Sequence, residues 1–184
     1  MQHPSDTVIS PRSGVLIAMI AIAVAWRLVI HFSHGAIPYS FTPVEAIALF
    51  GGAYFADRRV AMIVPLATML LADLVIGLHW MIPVTYGCIA LSTLLGFTLR
   101  HRVSALRVAG AGVAGSLLFF VVVSFVEWAT GDTDYCRAGI VPCYVAALPF
   151  LKAWLAGTLL WSALLFGTFE LLRRRWAVLG AAHA

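Results

Sequence analysis

Apolar residues in this chain gather into six stretches, roughly 14–32, 44–55, 60–77, 83–99, 105–128 and 144–172, broken by short connections that carry most of the charge. Runs of this length with few charges predict helices that cross a membrane. Threading the chain back and forth puts Arg12, Arg58, Arg59, Arg100, Arg102, Arg107, Arg173, Arg174 and Arg175 on one face. The opposite face keeps Arg137 and, near one helix end, Lys152, while Arg27 lies inside the first stretch. By the positive-inside rule the arginine-rich face is cytoplasmic, so both termini are inside and loops 33–43, 77–83 and 129–143 face out. The expected fold is an all-α membrane protein of six transmembrane helices. Short cytoplasmic tails, 1–12 and 177–184, flank one transmembrane domain, 13–176.

Composition narrows the class. A chain of 184 residues that is 62% hydrophobic and 11% charged, with a mean hydropathy of +0.96, is no ordinary soluble domain. Its formal charge of +4 would suggest nucleic acid in a soluble protein. Here the arginines sit in short connections without aromatic interleaving, so they fit topology and contact with the anionic head groups of a lipid bilayer. No nucleic-acid partner is expected. Arg12, an apolar run and Ala23-Val24-Ala25 also resemble a cleavable signal peptide. The run continues through Leu28-Val29-Ile30, and small residues recur at Gly14/Ala18 and Ala21/Ala25, so a retained helix is expected.

Thr42-Pro43-Val44-Glu45 reads as a helix start, with Thr42 as cap, Pro43 at the first helical position and Glu45 closing a capping box. The helix it opens is about 18 Å long, short for a bilayer of about 30 Å. A short helix leaves a depression above it, with loop 33–43 as its lid. Asp73 and Glu127 lie in the outer parts of their stretches, as does Arg27. Intramembrane acids usually face the bundle interior and find a partner. Three readings stand: an Arg27–acid pair locking helices together, ligand contact from the outer face, or proton coupling.

The three cysteines divide into two kinds. Cys136 and Cys143 bracket an outer loop in an oxidising compartment, which allows a disulfide that spacing alone does not establish. Cys88 lies about five residues, or 7–8 Å, into the helix opened by Pro83, near the floor of the depression. A lone cysteine there either packs as a small hydrophobe or offers a soft thiolate to a metal. His31, His34, Tyr39, Phe41, His79, Trp80, Trp128, Tyr135 and Tyr144 surround the outer mouth, with Tyr86 beside Cys88. An interfacial aromatic belt accounts for many of these, and a large, flat, partly apolar ligand suits the cluster equally. No histidine or cysteine pair has zinc-ligand spacing.

The segments 41–46 (FTPVEA), 48–59 (ALFGGAYFADRR), 65–77 (PLATMLLADLVIG), 116–120 (SLLFF), 143–150 (CYVAALPF) and 164–171 (LLFGTFEL) resemble a family of small bacterial membrane proteins similar to the S components of energy-coupling-factor vitamin transporters. The resemblance implies an S-component-like six-helix bundle in the bacterial inner membrane that binds a vitamin from the extracytoplasmic side. With Cys88 on the fourth helix, the chain looks most like solitary cobalamin-uptake proteins of the BtuM type. There a cysteine is the axial ligand of the corrin cobalt. The implied ligand is cobalamin, with Cys88 as its metal-binding residue and thiolate-dependent loss of the upper axial ligand as a conceivable side reaction. Ala21 and Ala25 resemble the face that docks on an energy-coupling transmembrane subunit. No G-x-x-x-x-G-K-[ST] motif is present, so no ATP site is expected in this chain. A carrier for another vitamin, with Cys88 only packing, is the alternative, and a membrane-embedded enzyme built on Asp73, Glu127 and Cys88 ranks lower because no nucleophile–base set is spaced for catalysis.

Overall fold

In the computed structural model, which describes residues 11–33 and 35–176, the shortest apolar stretch sits at the centre of the molecule. It forms Val44–Tyr54, and all eleven of its residues are buried. Numbering the helices in chain order, this is α2, and around it stand α1 (Pro11–Phe32), α3 (Arg58–Ile76), α4 (Ile82–Phe97), α5 (Ala105–Thr130) and α7 (Ile140–Arg175). A single turn, α6 (Asp134–Arg137), interrupts the loop expected at 129–143. The described residues contain no strand. The tails expected at 1–12 and 177–184 lie outside the described residues, apart from Pro11 and Arg12, which open α1.

Local signals explain the boundaries. Asp57 caps α3 by accepting the Arg59 N–H at 2.7 Å, and Ser104 caps α5 through the Arg107 N–H at 3.4 Å. Gly131, with φ 62, ends α5 in the left-handed conformation that glycine adopts without penalty. The C-terminus of α2 is held by Arg100, whose guanidinium donates to the carbonyls of Gly52 and Phe55, each at 2.8 Å, and lies over the Phe97 ring. Burial and the neighbouring Arg58 lower the Arg100 pKa from its usual value. The capping box expected at Thr42 and Glu45 does not form. Pro43 precedes the helix in helical geometry with no side-chain cap, and the Thr42 hydroxyl is buried without a partner.

Helices α3, α5 and α7 are long and apolar enough to cross a membrane, which marks the fold as that of a membrane protein. The apolar segment of α1, Leu16–Phe32, and α4 are shorter, and α2 is shorter still. Because α2 touches every other long helix, its length is matched to the protein interior rather than to lipid. Inside a bilayer, helix association depends on close packing more than on water release. Gly52 of α2 and Gly96 of α4 supply it: a Cβ on Gly52 would come 2.9 Å from Gly96 Cα. At the arginine-rich end α2 adds an aromatic cluster, with Phe50 edge-on to Phe166 and Phe169 at 5.3 and 5.7 Å. Toward the other end its neighbours are Met69, Cys88, Ile89, Phe119 and Trp154.

Candidate functional site

Arg27, carried inward on α1, meets Asp73 on α3 with Nη2 2.7 Å from Oδ1. Tyr86 of α4 donates its hydroxyl to the other oxygen, Oδ2, at 2.8 Å. Met69 Sδ lies 2.9 Å from Arg27 Nη1. Asp73 is 1% exposed and Arg27 19%, so this is an internal ion pair with both carboxylate oxygens engaged. Glu127 is not the partner. It lies half-buried near the end of α5, beside the Cys136–Cys143 disulfide, and forms no ion pair among the described residues.

From two residues beyond Tyr86 on α4 the bundle holds a second set of polar groups. Cys88 and Ser92 are four residues apart on α4 and therefore share a face. Both are buried, and Cys88 is the free thiol among the described residues. Glu45, fully buried at the first turn of α2, extends into a notch left by Gly115 of α5: a Cβ there would overlap Glu45 Oε1 and lie 3.2 Å from Ser92 Oγ. The Ser92 hydroxyl stands beside the carboxyl, and Cys88 is within its electrostatic reach. Neither Glu45 oxygen is in a fully aligned hydrogen bond, and the Trp154 indole N–H is also buried without a partner. The N-terminus of α2 favours negative charge at this point. A carboxyl–hydroxyl pair and an indole N–H without a partner among the described residues thus lie buried around one thiol, where buried polar groups are normally paired.

Three parallel rings lead away from it. Phe119 and Trp154 stack at 4.1 Å and 16°, and Phe150 lies parallel beside the pair, 5.7 Å from Trp154 and 6.2 Å from Phe119. Phe150 reaches a cavity of about 150 Å³ that Glu127, Ser124 and Tyr135 also line. The Glu127 carboxylate and the sulfurs of Cys136 and Cys143 lie within 4.8 Å of one another, but the sulfurs are bonded to each other and are not free as metal ligands.

Of the residues expected around the mouth, Tyr86 alone lies against the packing around Cys88. Tyr135 joins Glu127 at the small cavity. Trp80 is exposed and donates to Asp132 at 3.3 Å, and Tyr144 donates to the Val121 carbonyl at 2.9 Å. Trp128 tilts against Phe125, His31 stands edge-on to Phe32, and Tyr39 and His79 are exposed. His34 lies outside the described residues. The depression expected above α2 is filled, because Ser40, Thr42 and Pro43 turn down and are buried. The Phe41–Thr42 backbone presses on Gly157 of α7, where a Cβ would come within 3.0 Å of Thr42 N. About 10 Å³ of free volume remains beside Pro43 and Arg27. Sequence reasoning missed Glu45, Ser92, Phe119, Phe150 and Trp154. Glu45 was visible as an acid in an apolar stretch, but its cap-like setting hid it.

The chain belongs to DUF6580, a family of unknown function, whose profile matches residues 8–179. No curated protein and no solved structure matches the chain.

Proposed function

We propose that this member of a family without assigned function is an S-component-like membrane carrier that takes up cobalamin, with the Cys88 thiolate as axial ligand of the cobalt. The observation that carries the reading is the buried polar set beside the free thiol of Cys88: the Glu45 carboxyl with the Ser92 hydroxyl against it, and the Trp154 indole N–H, which has no partner among the described residues. Such groups are costly without partners, and a ligand rich in amide donors and acceptors would satisfy them. A soft thiolate suits a borderline metal, and the flat Phe119–Trp154–Phe150 stack suits a flat macrocycle.

In this reading the structure is the closed form. Admission of a corrin parts the ring stack from α3 and α4 and lifts the Phe41–Thr42 segment off Gly157. The six helices thread the bacterial inner membrane with both termini cytoplasmic, as the arginine asymmetry supports. Ala21 and Ala25 are exposed on α1, open to an energy-coupling subunit. A second reading, a carrier for a smaller heterocycle with Cys88 only packing, is favoured by the 2% exposure of Cys88 and the 150 Å³ of the cavity at Phe150.

The visible absorption spectrum of the purified protein with added cobalamin separates the two. A shift of the corrin bands in wild type that vanishes in Cys88→Ser supports axial ligation. Identical spectra and affinity in both proteins overturn it.

A further inference from the structure

A larger cavity, of about 600 Å³, lies at the arginine-rich end between the first turns of α5 and the last turns of α7. Its walls are shallow: Ala105 and Ala109 on α5, and Ala163 and Gly167 on α7, each pair four residues apart on one helix face. The two helices run antiparallel, with the Ser116 hydroxyl 3.3 Å from that of Thr158 and Gly112 also facing Thr158. By those two contacts Ser162 is level with the stretch 108–112, roughly 5–10 Å inside the first residue of α5.

Three polar features converge on this apolar groove. The first turn of α5 carries the positive end of the helix dipole, with the Arg107 N–H capped by Ser104 and the amides of Ala105 and Leu106 left without intrahelical partners. Arg174 lines the groove, paired with the Glu170 carboxylate that also holds Arg173, so the mouth carries two guanidinium groups against one carboxylate. Ser162 is 2% exposed, lines the groove, and its hydroxyl has no hydrogen-bond partner among the described residues.

We propose that this groove binds one anionic phospholipid. An acyl chain lies along the Ala and Gly walls, an ester carbonyl accepts from the Ser162 hydroxyl, and the phosphate meets the first turn of α5 and the Arg174 guanidinium. Basic pockets between helices at a membrane face recognise such head groups by this combination of fixed charge and apolar cleft. A partner's helix would fill the walls equally well, but it would leave the positive mouth unmatched. The proposal is independent of what Cys88 binds.

The test uses full-length protein in nanodiscs of phosphatidylcholine, with or without phosphatidylglycerol. Wild type should unfold roughly 5 °C higher when phosphatidylglycerol is present, and native mass spectrometry should retain one molecule of it. Gly167→Leu should erase both effects. Nothing lies within 4 Å of a Cβ at Gly167, so the new side chain enters the groove without disturbing the backbone. If that variant fails to fold, Arg174→Gln is read instead and should shrink the gain. An equal gain in the variants, equal retention of phosphatidylcholine, or no gain in wild type overturns the site.

Discussion

Arg27 and Asp73, 46 positions apart in the chain, close an ion pair at 2.7 Å that ties α1 to α3, and Tyr86 completes the coordination of Asp73 from α4. Helix α1 is the least embedded of the long helices, touching α2, α3 and α7. The pair therefore supplies much of the specificity with which α1 is placed.

Removing one partner leaves the other charge buried and unpaired. Arg27→Ala should cost on the order of 3–5 kcal/mol of stability, read as denaturant unfolding in detergent micelles. Tyr86→Phe should cost less, about 1.5–3 kcal/mol, as the loss of one hydrogen bond to a charged group. If Arg27→Ala unfolds like wild type yet loses its ligand, these charges serve binding rather than assembly.

Arg100 acts as a C-terminal clamp on α2 through the carbonyls of Gly52 and Phe55. Arg100→Ala should destabilise by about 2–3 kcal/mol, and amide hydrogen exchange should rise first at the end of α2. Exchange unchanged there would mean that the clamp is dispensable.

The notch at Gly115 makes a steric prediction. Gly115→Ala places a Cβ on Glu45 Oε1 and should cost about 1–3 kcal/mol. Adding Glu45→Ala should recover most of that loss, because the two sites share one space, and the double-mutant cycle would report strong coupling. Additive effects would show that Glu45 has room to move elsewhere.

Cys88→Ser keeps the size of the side chain and removes the soft donor. With cobalamin as ligand, binding should weaken at least tenfold by equilibrium titration. The pair Cys136→Ser and Cys143→Ser should leave the corrin spectrum unchanged, because those sulfurs are joined near Glu127 and not at the ring stack. Loss of the spectral shift in the paired variant alone would move the metal site to the loop.

A cysteine at His101, which is exposed in the connection between α4 and α5, tests orientation. A membrane-impermeant thiol reagent should miss it in whole cells and reach it in inverted vesicles. Labelling in whole cells would reverse the assignment of faces.

The helices themselves were legible in the sequence, with boundaries close to those observed, because long apolar runs satisfy their own backbone hydrogen bonds and need little else to be helical in lipid. Arg27 and Asp73 were visible as intramembrane charges, but the sequence left both Glu127 as an equal partner and ligand contact as an alternative role. Cys136 and Cys143 sat close enough in the chain to allow a disulfide, but the spacing left the bond open and the structure supplies it. Glu45 was misread, since an acid three residues after a threonine looks the same whether it caps its own helix or turns inward. Gly115, distant in the chain, decides that by leaving space for the carboxyl. The aromatic residues near the loops looked like one cluster around Cys88, yet the rotation of each helix sends Trp80, Trp128 and Tyr144 elsewhere and brings Phe119, Phe150 and Trp154 together instead. By itself the sequence determined that the chain is an apolar, all-helical membrane protein with a free thiol in its fourth helix. Only the tertiary structure decided which faces meet, because the relative rotation and approach of helices depend on side chains that are remote along the chain and adjacent only after packing.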